Sequence, residues 1–235
     1  MKDKQFLVPE KLIAQNPHTM ILSLDSSRFK KYGRVLHSLD VTELLKKAEA
    51  LTPIPEDGNL YVPSLEALES CSEVNQFGPY FGNLPIQVGF CNGKNQTMNG
   101  MEYHKSPELF IAVTDCVQFL CSYDHLENFN TVQTKESELF FFPKGSVTLI
   151  DSNVLHLAPC MTESRGFKSI IVLPKDTNEP LESEEVKARE ASSDPEARLL
   201  LKKNKWILAH PERLQLVSQQ VHVGLVGENR RVIPQ

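Results

Sequence analysis

Glu102–Glu108 (EYHKSPE) places two carboxylates and one imidazole within seven residues, among short segments that have the pattern of β-strands. Glu102 and His104 are two residues apart, so on a strand both side chains point to the same face. The Ser-Pro that follows is typical of a turn, after which Glu108 can begin a neighbouring strand. A single histidine, His156, lies near the end of a later segment of the same kind. The pattern predicts that these four side chains converge inside a small β-barrel.

This set of two imidazoles and two carboxylates predicts a metal site. Neutral imidazole and ionised carboxylate suit Mn, Fe, Ni or Zn better than Mg or Ca. Such a site also needs a rigid scaffold, which adjacent strands provide. We therefore expect a divalent metal ion, Mn, Fe, Ni or Zn, at Glu102, His104, Glu108 and His156.

The alternative is that these residues bind no metal. His104 would then be an inert, hydrogen-bonded residue at a strand end, and the two glutamates would face solvent. Side chains alternate along a strand, so Leu155 and Leu157 lie on the face opposite His156. If those leucines face the barrel interior, His156 points outward. If they pack outside the barrel against another lobe, His156 faces the interior.

Around these residues the chain divides into three regions. Residues 1–84 are predicted to form a helical and irregular lobe packed on a barrel at residues 85–175, and residues 176–235 form a C-terminal extension. Within the barrel, Gly, Pro, Asn and Asp separate short apolar segments. Eight segments at this spacing predict a jelly roll or barrel. The strands are expected near residues 86–91, 100–104, 108–114, 117–123, 138–142, 147–151, 154–158 and 167–173.

The N-terminal lobe contains one clear helix. Residues 40–51 carry an apolar stripe at helical spacing, and Pro53 follows their end. Asp40 is the predicted N-cap, and Glu43 would complete a capping box. A shorter helix is expected from about residue 63 to residue 74.

The spacing of the four site residues resembles the metal-binding pattern of the cupin superfamily, His-x-His-x3-Glu followed by a distant His, with Glu102 at the position of the first His. Residues 143–145 (PKG) resemble the Pro-x-Gly turn that precedes the last His in cupins, although His156 lies eleven residues after Gly145. The chain also resembles an uncharacterised, cupin-like bacterial family. The segments that carry this resemblance are Gln87–Gly93, Glu102–His104, His156–Cys160 and Lys203–Pro211.

The resemblance implies a mainly β fold, the cupin-like double-stranded β-helix (jelly roll), with the N-terminal helical lobe and a C-terminal α/β extension around it. It implies a metal-dependent enzyme whose chemistry is isomerisation, epimerisation or elimination next to a carbonyl, through an enediolate. The substrate is then a small molecule, by analogy a carbohydrate derivative. One carboxylate, Glu102 or Glu108, could be the catalytic base instead of a metal ligand, and Glu102 is the better candidate because it replaces the usual His. Cupins often pair edge strands, so a homodimer is expected.

Two other functions fit the same residues. An Fe(II) dioxygenase needs two histidines and one carboxylate, which His104, His156 and Glu108 could supply. A non-catalytic cupin would bind a small ligand, with or without metal, as a sensor or assembly protein.

Four further residues are candidates for substrate binding. Asn92 and Asn99 flank the strand that leads into Glu102 and could hydrogen-bond a polar ligand, although turn chemistry beside glycine is the alternative. Lys205 and His210 could fold back over the barrel mouth and bind a carboxylate or phosphate. For this second pair, solvated surface is the alternative.

Composition excludes several classes of function. The 235 residues carry a net charge of −5 and no block of Lys and Arg, so we expect no nucleic-acid partner. The sequence has neither a signal peptide pattern nor an apolar run of membrane-spanning length, and it lacks the motifs of nucleotide-binding proteins and of serine hydrolases. Five cysteines without CxxC spacing are typical of free thiols, so a reduced, cytoplasmic location is expected.

Overall fold

Apolar residues run almost without interruption through the central strands, because both faces of each sheet are covered. In the segment Glu108–Ala112 every residue is buried, with Phe110 on one face and Leu109 and Ile111 on the other. A computed structural model describes residues 6–235 of the chain. It contains sixteen strands and five α-helices within that range.

The strands are β1 Ile21–Ser23, β2 Gly33–Val35, β3 Asn59–Val62, β4 Ile86–Gly93, β5 Gly100–Tyr103, β6 Glu108–Ala112, β7 Cys116–Ser122, β8 Val132–Gln133, β9 Glu138–Phe142, β10 Val147–Ile150, β11 Val154–Leu155, β12 Cys160–Met161, β13 Phe167–Pro174, β14 Leu200–Lys202, β15 Lys205–Ala209 and β16 Leu225–Val226. The α-helices are α1 Glu10–Gln15, α2 Thr42–Leu51, α3 Glu66–Glu69, α4 Ser183–Ala191 and α5 Leu214–Ser218. Short 3₁₀ helices occupy Ser27–Lys31, Ser72–Gln76, Gly78–Phe81, Tyr123–His125, Thr134–Glu136 and Pro195–Leu199.

Two sheets face each other. The larger has the order β2-β10-β6-β13-β4-β3, and all of its pairs are antiparallel. In the second sheet β1 pairs in parallel with β9, β9 pairs with β7, and both β11 and β12 pair with β7. A third sheet of β14, β15 and β5 lies beside them. This mainly antiparallel double-sheet architecture is the predicted cupin-like jelly roll, and each of the eight predicted strands is present.

Three apolar clusters hold these layers together. The barrel interior contains Phe110, Phe140 and Phe142. On the outer face of the larger sheet, Leu44 and Leu68 of the N-terminal helices pack with Leu109, Ile111 and their neighbours. On the outer face of the second sheet, C-terminal residues pack with residues of β7 and β9, including Leu199, Leu208, Leu225, Val117 and Phe141. Each sheet is thus sandwiched between the interior and an outer layer.

The N-terminal residues also supply three strands that sequence analysis did not predict. Strands β1, β2 and β3 extend the two sheets at their edges. They contain three or four residues each, and nearly all of these are half-buried or exposed. Segments this short, without alternation between apolar and polar residues, carry no periodic signal that separates a strand from a loop.

The start of α2 differs from the predicted capping box. The helix begins at Thr42, and the carboxylate of Asp40 accepts hydrogen bonds from the backbone and hydroxyl of that residue. The free N–H groups of Glu43 and Leu44 instead bond to the carboxylate of Glu73, at 2.9 and 2.8 Å. A distant acid therefore caps this helix, which a local sequence pattern cannot reveal.

All five cysteines are free and buried, as expected from their number and spacing. Burial raises the pKa of the Cys91 and Cys121 thiols to about 12. Within residues 6–235, every helix is too short or too polar to cross a bilayer.

Gly89 offers a test of the packing between β3 and β4. A Cβ atom at this position would overlap the carbonyl oxygen of Val62 and the backbone of Pro63, because the chain leaves β3 directly over Gly89. We expect Gly89→Ala to lower the free energy of unfolding by about 2–3 kcal/mol, measured by chemical denaturation. Gly78→Ala is the control, since its Cβ would meet only the side chain of Asn83, at 3.2 Å. Equal effects from the two substitutions would contradict this close approach.

Candidate metal and ligand site

One backbone pair brings the two halves of the site together. The N–H of Glu102 donates to the carbonyl of His156 at 2.6 Å, and the N–H of His156 donates back to Glu102 at 2.8 Å. Residues that exchange both hydrogen bonds lie directly opposite each other in an antiparallel pair, with side chains on the same face. Glu102 on β5 and His156 just after β11 are therefore neighbours, although they are far apart in sequence.

The alternation of side chains places His104 at the same point. Glu102 and His104 face the site, and Tyr103 between them is buried in the outer cluster of the second sheet. His104 Nε2 lies 3.9 Å from Glu102 Oε1 and 3.7 Å from Glu108 Oε2. His156 Nε2 lies 3.4 Å from the same Glu108 oxygen. The structure thus brings together all four residues of the predicted metal site.

Leu155 resolves the alternative orientations of His156. It is fully buried in the outer cluster with C-terminal residues, so alternation turns the imidazole of His156 inward. Leu157 does not share this outer position, because it packs beside Ile207, which pairs with Glu102 and lies on the same face of the sheet. The prediction that both leucines lie opposite His156 is therefore wrong for Leu157.

The hydrogen bonds of the two histidines fix their tautomers. A carbonyl oxygen can only accept, so the Nδ1 of His104 donates to Asn204 at 2.6 Å, and the Nδ1 of His156 donates to Val154 at 2.9 Å. Each neutral ring therefore has its lone pair on Nε2. Both Nε2 atoms are buried and have no hydrogen-bond partner among residues 6–235. This is the arrangement in which imidazole binds a metal ion, with the second nitrogen anchored by a backbone carbonyl.

The electrostatics of the site also favour a cation. Burial acts to raise the pKa of Glu102, but Lys205, His104 and His156 hold it below its usual range. Burial lowers the pKa of His104, so this ring is kept neutral. Burial acts in the same direction on His156, but Glu108 and Glu102 raise its pKa to about 9. The two carboxylates thus favour a positive charge beside His156 Nε2, where a metal ion would take the place of the proton.

Donor atoms of Glu102, His104 and His156 lie within 4.8 Å of one another, so they can share one ion. Glu108 is close enough to both imidazoles to join them. The residues present therefore fit a divalent metal ion, with two nitrogen and one or two oxygen ligands.

The cluster opens onto a cavity of about 350 Å³. Glu102, Glu108 and His156 form part of its buried wall. The polar part of the remaining wall consists of amides and cations, contributed by Asn59, Asn95, Asn99, Gln118, Asn178, Gln219, Lys202, Lys205 and Arg213. Apolar side chains form most of the rest, among them Ile171, Leu201, Ile207 and Leu216. A cavity of this size, with several polar groups in an apolar wall, suits a small molecule that carries polar groups on a carbon skeleton.

The structure brings Lys205 to the site but not Asn92 or His210. Lys205 forms an ion pair with Glu102 and lines the cavity. The amide of Asn92 lies outside the cavity, where it bonds to Thr52, Pro53 and Ser169. The ring of His210 accepts from the N–H of Glu212 and donates to Gly227, so both of its nitrogens are occupied.

Asn99 lines the cavity, but its side chain is engaged in a loop network. The amide donates to Asn95 at 2.8 Å and accepts from Thr97 at 2.9 Å. Its backbone has φ = 61°, the left-handed conformation that Asn tolerates. Asn99 therefore lines the cavity, as expected for a substrate-binding residue, and also has the turn conformation that was its alternative role.

Sequence analysis missed Asn204, which lies in the turn between β14 and β15. Its carbonyl orients His104, and its side chain accepts from the N–H of Lys105 at 3.0 Å and donates to Ser106 and Thr177. An Asn between two strand-like segments signals a turn, since φ here is 54°. Nothing in that local signal connects the turn to a histidine one hundred residues earlier.

The chain belongs to the family described as Domain of unknown function (DUF4867), whose model matches residues 21–230. Among curated proteins, none matches the sequence.

Several solved structures share parts of the fold, with low scores. Salicylate 1,2-dioxygenase from Pseudoaminobacter salicylatoxidans has a TM-score of 0.29 and 11% identity, over 56% of this chain and 29% of that one. A mutant oxalate decarboxylase of Bacillus subtilis has a TM-score of 0.32 and 11% identity, over 66% and 34%. Vicilin from hazelnut, Corylus avellana, has a TM-score of 0.29 and 11% identity, over 39% and 24%. The chain thus matches only about a quarter to a third of the length of these proteins.

Asn204 provides a test of how His104 is held. Asn204→Ala removes three side-chain hydrogen bonds and disfavours the left-handed backbone, so the carbonyl that orients His104 is less fixed. We expect a loss of about tenfold or more in zinc affinity, measured by competition with a chromophoric chelator. Asn83→Ala is the control, because Asn83 has φ = 59° and lies outside the site. An equal, small loss in both variants would refute this role.

Proposed function

We propose that this member of the family is a metal-dependent enzyme that isomerises, epimerises or eliminates next to a carbonyl of a small polar metabolite. The observation that carries the proposal is the pair of buried imidazole Nε2 atoms without partners in the described chain, which face two carboxylates at the wall of a cavity. The unpaired nitrogen of His104 is costly, and the two carboxylates favour a positive charge beside His156, so a cation that both nitrogens can bind is expected.

His104, His156 and Glu108 are the residues that would hold the ion, which we propose to be Mn, Fe, Ni or Zn. When bound, the ion would supply a Lewis acid that polarises the substrate carbonyl.

Glu102 is the proposed base. One of its oxygens is paired with Lys205 and the other lies 3.9 Å from His104 Nε2. The depressed pKa keeps the carboxylate ionised at neutral pH, so it can accept the proton next to the carbonyl. Loss of that proton creates negative charge on the substrate oxygen as the enediolate forms. The ammonium of Lys205 lies beside the base and can balance this charge.

A second candidate function is an Fe(II) dioxygenase. It is favoured by the positions of His104, His156 and Glu108, which supply two imidazoles and one carboxylate. Turnover that requires oxygen, and stops under anaerobic conditions, would support the dioxygenase over the isomerase or lyase. A protein that binds ligand without turnover in either atmosphere would be the non-catalytic binding module.

Three further expectations from the sequence belong to the same proposal. The substrate is a sugar or sugar-acid derivative, the protein forms a homodimer, and it is located in the cytoplasm. Sedimentation analysis of the purified protein measures the oligomeric state directly.

Replacing either histidine should remove the metal. We expect His104→Ala and His156→Ala each to lower metal affinity by at least about 100-fold, more than loss of an outer partner would. Elemental analysis after incubation with Mn, Fe, Ni and Zn measures the retained ion. Circular dichroism should report a folded protein, because neither ring belongs to the apolar clusters.

His125→Ala is the matched control, since His125 is exposed and its Nδ1 lies 3.7 Å from Glu136, away from the site. A wild-type protein that retains no metal after these incubations would argue against the enzyme and in favour of the binding module.

Glu102→Gln separates a base from a ligand. An amide keeps the shape and can offer an oxygen, but it cannot accept a proton at neutral pH. If Glu102 is the base, we expect metal content to be retained and turnover to fall by about 10²–10⁴-fold. Turnover is measured as the exchange of substrate protons with D₂O. Proton NMR detects this exchange over a panel of aldoses, ketoses and aldonates.

Glu163→Gln, at the surface, should leave both quantities unchanged. A Glu102→Gln protein that loses its metal would show that Glu102 is a ligand, and retained turnover would exclude it as the base.

A further inference from the structure

We infer that the cavity binds a short polyol with one anionic group, whose hydroxyls reach Gln118 and Asn178 and whose anion reaches Lys202 and Arg213. This inference deepens the proposed function and rests on it for the reacting end of the ligand. The residues that carry it are different from those proposed to hold the metal.

Gln118 supplies the first observation. Its side chain is 2% exposed and lines the cavity. The Nε2 group donates to the carbonyl of Leu157 at 2.8 Å, which fixes the orientation of the amide. The Oε1 atom is buried and receives no hydrogen bond from any residue between 6 and 235. Leaving such an acceptor unpaired is costly, so a ligand that donates a hydrogen bond is favoured here.

Asn178 supplies the second observation, on another wall of the same cavity. It is 6% exposed and follows β13, where its N–H bonds to Lys203 in the turn between β14 and β15. Its Nδ2 group donates to the hydroxyl of Tyr61 at 2.8 Å, and its Oδ1 atom has no donor in the described part of the chain. Tyr61 also lines the cavity, and its hydroxyl, which accepts from Asn178, still has its own proton to donate.

Gln118 lies on β7 of the second sheet, whereas Tyr61 lies on β3 of the larger sheet. Two buried acceptors on separate walls favour a ligand with at least two separated donors. Neutral hydroxyl groups meet this need, because each can donate to an amide oxygen and accept from a group such as the Tyr61 hydroxyl.

The charges of the cavity orient such a ligand. Glu102 and Glu108 are buried at one end, and they would repel an anion. Lys202 and Arg213 are half-buried, and neither has a carboxylate within 4.0 Å among the described residues. Among residues 6–235, the guanidinium of Arg213 donates to the side chain of Gln215 and to no other group. Guanidinium and ammonium groups bind carboxylate and phosphate, so the anionic group lies at their end and the reacting end lies toward His104 and His156.

Four probes with a six-carbon chain test this assignment. D-Gluconate and D-glucitol 6-phosphate carry hydroxyls with a carboxylate or a phosphate, D-glucitol has hydroxyls alone, and hexanoate has the charge alone. Binding to metal-free and zinc-loaded protein is measured by titration calorimetry. We expect at least one of the two anionic polyols to bind both forms about tenfold or more tightly than glucitol and hexanoate. Comparing the two anionic polyols distinguishes a carboxylate from a phosphate ligand.

Two sets of variants separate the two parts of the recognition. Lys202→Ala combined with Arg213→Ala should weaken the anionic polyol about tenfold and leave glucitol unchanged, because only the anion contact is lost. Gln118→Met and Asn178→Leu should weaken the binding of the anionic polyol and of glucitol alike.

Each set has a control. The control for the first set is Lys30→Ala with Lys31→Ala, which removes the same charge away from the cavity. The control for the second set is Asn16→Leu, which removes a buried amide whose oxygen is already paired.

Equal binding of all four probes, or no binding of either anionic polyol, would overturn the inference. So would a loss of affinity in the control variants that matches the loss in the cavity variants. These outcomes are independent of the proposed enzyme, whose failure would appear as a wild-type protein that holds no metal. Binding of an anionic polyol to metal-free protein, with the expected pattern among the variants, supports the inference in either case.

Discussion

The exchange of two backbone hydrogen bonds between Glu102 and His156 is the constraint on which the site depends. It joins β5, which pairs with the C-terminal strand β15, to the end of β11, which pairs with β7 of the jelly roll. Because the register of an antiparallel pair fixes the direction of every side chain, a shift of one residue would turn both site residues away from the cavity. The packing of Leu155 and Tyr103 in the outer cluster opposes such a shift. The same apolar contacts that stabilise the fold therefore align the site residues.

Four ionisable groups are buried close together, which is costly unless each is held by suitable partners. Two sets of contacts in the structure provide them. Backbone carbonyls of Asn204 and Val154 hold the imidazole rings, so that both Nε2 atoms point toward the carboxylates. Lys205 neutralises Glu102 from the opposite side. An isolated buried carboxylate would be protonated or would destabilise the fold, and these contacts keep Glu102 ionised. These contacts fix the four site side chains in one arrangement.

Sequence periodicity predicted the parts of this arrangement that depend on local rules. Alternation along a strand correctly placed Glu102 and His104 on one face and Tyr103 on the other, and apolar segments located the eight central strands. It did not predict β1 to β3, because edge strands of three or four residues have no period. Local patterns also gave no reason to choose Asn204 or Gln118, whose roles depend on contacts across the fold. Asn92 was chosen for its nearness in sequence to the site, but its strand turns the amide toward Thr52 and Ser169.

The C-terminal extension completes a cavity that the barrel alone would leave open. Barrel strands and their ends contribute the imidazoles, the carboxylates and Gln118, which are nearly all buried. The turn between β14 and β15 and its neighbours contribute Asn204, Lys205 and Lys202, and the following loop contributes Arg213. Glu108 therefore comes from the larger sheet, whereas Glu102 and Lys205 lie on paired strands of the third sheet. Lys202 is also in that sheet, on β14, and Arg213 follows β15. Because the cavity wall combines residues before Pro174 with residues after Asp176, a molecule that filled it would contact both parts of the chain, and its binding would stabilise their packing.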